Sequence, residues 1–132
     1  MSELFSKEWG QAYKNAWNGD GEITSTLRKA GFNSVVAFGL HDEEDPRFVM
    51  TIEDGLVTSV EGRPEDAINW DIRATEENWL SLIAKPPGLM KLGIAYTSRK
   101  IRFKKGDYAN MVKDPSLAGA FVKSFALMSM IS

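Results

Sequence analysis

Residues 48–74 read FVMTIEDGLVTSVEGRPEDAINWDIRA, and the fold depends on how this stretch is parsed. Phe48, Met50 and Ile52 alternate with Val49, Thr51 and Glu53, the period of two of a half-buried strand, and Asp54-Gly55 then marks a turn. A two-residue loop would set Ile52 opposite Val57 and Met50 opposite Ser59, mixing apolar with polar on both faces. A three-residue loop, Glu53-Asp54-Gly55 with Gly55 left-handed in a bulge, pairs Ile52 with Leu56, Met50 with Thr58 and Phe48 with Val60, and is the register expected. After a turn at 62–64, Ile68, Trp70, Ile72 and Ala74 alternate with Asn69, Asp71, Arg73 and Thr75. The strands share one apolar face and one wet face, so the remaining chain has to cover the apolar one.

The full 132 residues suffice for one domain with a real core and not for two, so 1–132 is expected to be a single unit. No run reaches transmembrane length, and the first residues lack the basic-then-apolar plan of a signal peptide. These features predict a soluble intracellular protein. The last residues lack a Ser-Lys-Leu address, which leaves the cytoplasm as the default location. The absence of cysteine removes disulfides, thiolate zinc sites and cysteine nucleophiles. A net charge of -2 hides an asymmetry: residues 1–66 carry 6 Lys+Arg against 13 Asp+Glu, whereas residues 67–132 carry 10 against 5. Such a division either steers an anionic partner to one side or lets the two halves attract each other.

Phe5, Trp9, Ala12, Tyr13 and Ala16 recur at helical spacing and predict an amphipathic helix over 3–17, ended by Gly19 and Gly21. A shorter helix is expected over 23–30, with Thr24 or Ser25 near its start and Gly31 as its stop. Residues 34–40 read as the first strand, on the bulk of Val35, Val36 and Phe38. Thr75 caps a helix that has Glu76 and Glu77 in its first turn and Trp79, Leu80 and Ile83 as its buried stripe. Pro86-Pro87-Gly88 breaks it, and an apolar piece follows through Leu89, Met90, Leu92, Ile94 and Tyr96. A fifth strand over 99–104 points Ile101 and Phe103 inward and Arg102 and Lys104 outward. Gly106-Asp107 then turns into a short helix over 108–112.

Asp114 and Pro115 open the last helix. Between Leu117 and Ile131, 11 of 15 residues are apolar. Phe121, Phe125 and Met128 share one stripe, while Val122, Leu127 and Met130 lie elsewhere around the helix. A surface helix needs a single apolar stripe. This one has to be buried on several sides, contact a ligand, or dock to something.

The order of these elements and three local strings resemble the sterol carrier protein 2 family of lipid-binding domains. The strings are FVMTIEDGLV at 48–57, DIRATEENWL at 71–80 and RKIRFKKGD at 99–107. The resemblance runs from residue 34 to the C-terminus. It implies an α+β fold: a mostly antiparallel five-stranded sheet with helices packed on one face, enclosing an elongated apolar tunnel for fatty acyl chains, sterols or similar lipids. The function so implied is non-catalytic lipid binding and carriage, without a cofactor.

A tunnel of this kind needs apolar walls and a polar mouth. The expected walls are Trp70 and Ile72 from the sheet, Trp79 and Ile83, Met90 and Ile94, Ile101 and Phe103, and Phe121, Phe125 and Met128 from the last helix. Each of these residues taken singly reads more readily as plain core than as pocket wall, and only the apolar excess on the last helix favours the wall. Flexible methionines suit an adaptable surface. Burying about fifteen methylenes yields ~12 kcal/mol at ~0.8 each. Association and ordering remove at least ~4 kcal/mol, which leaves roughly micromolar affinity. A phosphate or carboxylate head group would meet Arg99, Lys100, Lys104 or Lys105, which also read as a solvated strand edge. Expected partners are a lipid or fatty acyl ligand and a transient membrane or enzyme, with the oligomeric state open between monomer and homodimer.

Rival classes find less in the sequence. His41 is the only histidine and sits in an acidic loop, which reads as solvated more readily than as a metal site. A small cavity enzyme, isomerase or hydrolase-like, needs a carboxylate on the apolar side, whereas alternation points Asp71 to the wet face, Asp54 lies in a turn and Asp107 caps a helix. Nucleic acid is disfavoured by the negative charge and by aromatics that are not interleaved with the basic strand. The remaining alternative is an interaction module docking through the last helix.

Overall fold

In the computed structural model, which describes residues 3–131, five strands form one sheet in the order β3-β2-β1-β4-β5. They are β1 (Ser34–Leu40), β2 (Phe48–Glu53), β3 (Leu56–Ser59), β4 (Trp70–Ala74) and β5 (Arg102–Lys105). Neighbours pair antiparallel except β1 and β4, which run parallel. The described helices are α1 (Lys7–Asn18), α2 (Gly21–Lys29), α3 (Glu76–Ala84), α4 (Leu89–Thr97), α5 (Tyr108–Met111) and α6 (Pro115–Met130). The expected α+β class, with a mostly antiparallel five-stranded sheet and helices on its apolar face, is the one found.

Val36 and Phe38 of β1, Met50 and Ile52 of β2, and Ile72 and Ala74 of β4 lie on one face and join a single core with the helices. Phe38 and Phe48 stack across the β1–β2 pair with centroids 5.8 Å apart, and Phe5 and Trp9 complete an aromatic cluster over them. At the sheet edge, Asn18 grips β3 with both ends of its amide, Nδ2 donating to the Val57 carbonyl at 2.9 Å and Oδ1 accepting from the Val57 N–H at 2.8 Å. The edge strand's exposed backbone is thus partly occupied by a side chain.

The hairpin register departs from expectation. Ile52 faces Val57 and Glu53 faces Leu56, so the loop has two residues, Asp54 and Gly55. Their φ angles of 48° and 83° are both left-handed, as the tight hairpin turn requires. A bulge between Thr51 and Ile52 then sets Ser59 opposite Thr51. One extra residue in β3 removes the apolar-polar mismatch that argued against the short loop.

The second sheet face is not wet throughout. Asp71 and Arg73 point to it as expected, yet both are buried. Ile68 lies on this face too, in a small cluster with Ala37 and Val49, instead of sharing the face of Trp70 and Ile72. The connection 60–69 crosses here, with the Gly62 N–H bonded to the Val49 carbonyl at 3.2 Å. That crossing is what brings β4 back parallel to β1.

Several element ends also move. Ser6 caps α1, accepting from the Trp9 N–H at 3.2 Å, so the helix begins at Lys7 and not at residue 3. Asp20, and neither Thr24 nor Ser25, caps α2 by accepting from the Glu22 and Ile23 N–H groups at 3.0 Å each. Arg99 is left-handed at φ 64° and closes α4, with the Arg99 N–H on the Tyr96 carbonyl at 3.1 Å and the Lys100 N–H on the Ala95 carbonyl at 2.8 Å. This cap holds residues 99–101 out of the strand, which starts at Arg102. Leu80, placed in the buried stripe of α3, is 51% exposed, while Trp79 and Ile83 are buried.

Candidate functional site

The start and length of α6 follow from its cap: Asp114 accepts from the Ser116 N–H at 2.9 Å, and Pro115 occupies the first turn. The helix touches α1, α2, α3 and α4, which accounts for its apolar residues all round. Phe125, Leu127 and Met128 are buried, and the excess that suggested docking through this helix is absorbed within the fold, apart from an exposed Met130.

Between α6 and the sheet lies a cavity of about 70 Å³. The sheet supplies Val36, Phe38, Met50, Ile52, Trp70, Ile72 and Phe103, and α6 supplies Leu117, Ala120, Phe121 and Ser124. Trp17, Leu27, Phe32 and Met111 close the remaining sides. Ser124 is the only hydroxyl or charged-class side chain in the lining, and its Oγ is turned back to the Phe121 carbonyl. The lining of the cavity therefore carries no charged side chain. Phe32, Trp70, Phe103, Leu117 and Phe121 are half-buried, and of these Trp70, Phe103 and Phe121 are in ring contact and form one side near solvent, with Leu117 one turn from Phe121.

The wall is held from behind by satisfied polar contacts. The Trp17 indole N–H donates to the Gly55 carbonyl at 2.9 Å, and the Trp79 N–H to the Gly39 carbonyl at 2.9 Å. The Tyr13 hydroxyl donates to the Ser124 carbonyl at 3.1 Å. Burial pushes the Tyr13 phenol well above its usual value, so the hydroxyl stays a donor.

Of the residues expected to form the walls, Trp70, Ile72, Phe103 and Phe121 meet at this cavity. Trp79 and Phe125 stack behind it at 6.1 Å, Phe125 sits edge-on to Phe121 at 5.3 Å, and Ile83 and Met128 are buried in the same core. Ile101 is buried but borders a surface groove with Tyr96, Thr97, Arg99, Arg102 and Phe103. Phe103 is thus common to cavity and groove. Met90 and Ile94 face solvent on α4.

The four head-group candidates are all exposed. Arg99 lines the groove beside Phe103, together with Arg102, which is not among those four. Lys104 donates to the Glu44 carbonyl at 2.9 Å, beside the buried Arg73 and away from the cavity. Lys100 and Lys105 line neither the cavity nor the groove. The reading also missed the contributions of α1, α2, β1 and β2 to the wall. Alternation already pointed Val36, Phe38, Met50 and Ile52 inward, and Trp17 lies one turn beyond Tyr13 on the apolar stripe of α1.

No family model matches the sequence, and no curated protein matches it. Solved structures do. A crystal structure of sterol carrier protein 2 superposes with a TM-score of 0.76 at 19% identity, covering 98% of this chain and 100% of that one. The solution structure of TT1886 from Thermus thermophilus, described as possibly a sterol carrier protein, gives 0.66 at 18% identity, with coverage of 98% and 90%. A UbiJ-SCP2 ubiquinone synthesis protein gives 0.57 at 11% identity, with coverage of 89% and 90%. The agreement extends over α1 and α2, beyond the part in which the sequence strings resemble the family. This chain has the sterol carrier protein 2 fold.

Proposed function

We propose that the protein binds and carries lipids, without catalysis and without a cofactor, by taking the apolar part of a fatty acyl chain, sterol or similar molecule into the cavity beneath α6. The observation that carries this reading is the uncharged cavity itself, walled by four strands and α6. The likeness in fold to sterol carrier protein 2 supports the same reading. An engineered cavity of ~150 Å³ accepts one benzene molecule. At about 70 Å³, this cavity has to widen to take an acyl chain. The half-buried side formed by Trp70, Phe103, Leu117 and Phe121 is where the wall yields with least loss of core. Phe103 then leads the polar end of the ligand to Arg99 and Arg102 in the groove.

The rival reading, a cavity enzyme with a carboxylate base, requires an acid on the cavity side of the sheet. Asp71 lies on the opposite sheet face with both oxygens bonded to Arg73.

Native mass spectrometry of the gently purified protein, followed by organic extraction, tests the proposal. A discrete added mass that extracts as fatty acid, phospholipid or polycyclic lipid is expected. A bare chain that also takes up no fluorescent fatty acid overturns it.

A further inference from the structure

Between Glu77 and Asp107 the sequence has no acidic residue and seven basic ones, from Lys85 to Lys105. Among the described residues, none of the seven is ion-paired with a carboxylate; the pairs present lie elsewhere. This uncompensated positive segment contains α4. Leu92 and Ala95 turn the helix onto the core, and Met90 and Ile94, one turn apart, face the other way, 82% and 59% exposed. The outer face of a solvated helix ordinarily carries its polar residues. In α4 the only charged residue is Lys91. Leu89 and Pro86 add further exposed apolar surface at its start.

We propose that α4 is the face by which the protein docks on an anionic lipid bilayer. Met90 and Ile94 enter the interfacial layer, and Lys85, Lys91, Arg99 and Lys100 meet phosphate and carboxylate head groups. An exposed apolar pair within a basic stretch of the chain suits such a surface, where each Lys or Arg near it strengthens binding about fivefold. A second copy of this chain fits worse, because a two-fold contact would bring Lys91 and its basic neighbours against themselves. The opposite side of the same helix borders the cavity wall. Tyr96 of α4 stacks on Tyr108 at 4.0 Å and meets Phe103, a cavity wall, edge-on at 5.8 Å. The inference goes beyond lipid carriage, since docking here does not require an occupied cavity.

Co-sedimentation of the full chain with vesicles is the test, comparing phosphatidylcholine alone with phosphatidylcholine mixed with phosphatidylserine. Binding to the mixed vesicles is expected, weakening as salt is added. Met90→Ser combined with Ile94→Ser lowers vesicle affinity about tenfold or more, and Lys91→Glu lowers it about fivefold or more. Both changes are on the surface, so the urea midpoint and fluorescent fatty acid uptake stay as in the wild type, which separates this face from the cavity. Absence of vesicle binding, equal binding to both vesicle types, or a double variant that binds like the wild type overturns the proposal. So does a concentration-dependent dimer that the double variant abolishes, because the face would then cover a second copy.

Discussion

Arg73 donates to both carboxylate oxygens of Asp71, Nε to Oδ1 at 2.6 Å and Nη2 to Oδ2 at 3.0 Å, two residues apart on one strand and out of contact with water. Its other bonds hold the acidic loop after β1, Nη1 to the Leu40 and Glu43 carbonyls at 3.1 and 2.6 Å and Nη2 to the Glu44 carbonyl at 3.1 Å. Removing one partner of a buried pair costs about 3–5 kcal/mol, because the other charge is left unpaired. Arg73→Ala is therefore expected to lower unfolding free energy in urea by about that amount. Arg73→Lys should not restore it, since an ammonium lacks the fork that reaches two oxygens and three carbonyls. Stability unchanged in Arg73→Ala would mean that the pair is solvated in solution.

Filling the cavity should separate binding from stability. Ala120 lines it from α6 and is buried. Ala120→Leu places a larger apolar side chain in the space a ligand would take, so fluorescent fatty acid affinity is expected to fall about tenfold or more while the unfolding free energy in urea falls by no more than about 1–3 kcal/mol.

Phe121 and Phe125 should behave differently although they lie one turn apart. Phe125 is 1% exposed and is wedged against Trp79, so Phe125→Ala costs about 3–5 kcal/mol and weakens lipid binding indirectly. Phe121 is half-buried on the cavity side, and Phe121→Ala should cost less stability and shift ligand preference toward bulkier molecules. Competition between a fatty acid and a sterol for each variant, measured beside urea unfolding, distinguishes the two.

Gly106 has φ 102°, and a Cβ there would run into the Trp70 ring. Gly106→Ala combines backbone strain with a displaced cavity wall. A loss of about 1–3 kcal/mol is expected, with a change in the near-ultraviolet circular dichroism of the tryptophans. An unchanged spectrum would show that the turn moves instead of the ring.

Asp20 makes stability depend on pH. The backbone N–H of Ile23, followed by Lys123 at 3.2 Å, holds its carboxyl below the usual 3.8. A folded-state value below the unfolded one means that the unfolded chain binds more protons in that window. The stabilisation is thus complete above the ordinary aspartate range and lost as pH falls through the depressed value. Asp20→Asn keeps the cap but not the charge, so its unfolding free energy should fall less steeply with acid than that of the wild type.

Much of this architecture is legible in the chain because local chemistry and tertiary packing agree. β1 occupies the residues expected, and Thr75 and Asp114 cap the helices they were expected to cap. The failures occur where a distant contact decides. Gly55 sits in a two-residue turn packed against α2, where a Cβ would collide with the Thr24 carbonyl and the Arg28 N–H. Nothing in the hairpin's own alternation reveals the bulge that repairs the register. Asp71 and Arg73 read as solvated because they are charged, and only the loop folding back over them buries the pair. The cavity was half legible: its walls from β4, β5 and α6 were expected, whereas those from α1 and α2 depend on where the N-terminal helices settle.

The hydrogen bond from Tyr13 to Ser124 joins residues 111 apart in sequence, and α6 is packed against four other helices. On the ribosome, every strand of the sheet is made before this helix is. Until residues 115–130 have emerged, the nascent chain cannot close its core: Trp79 lacks the Phe125 ring that stacks on it, and the cavity lacks its α6 wall. Folding is therefore expected to wait for α6 and then to be nearly all at once, and a chain stalled or cut before this helix is a client for chaperones that recognise exposed aromatic surface.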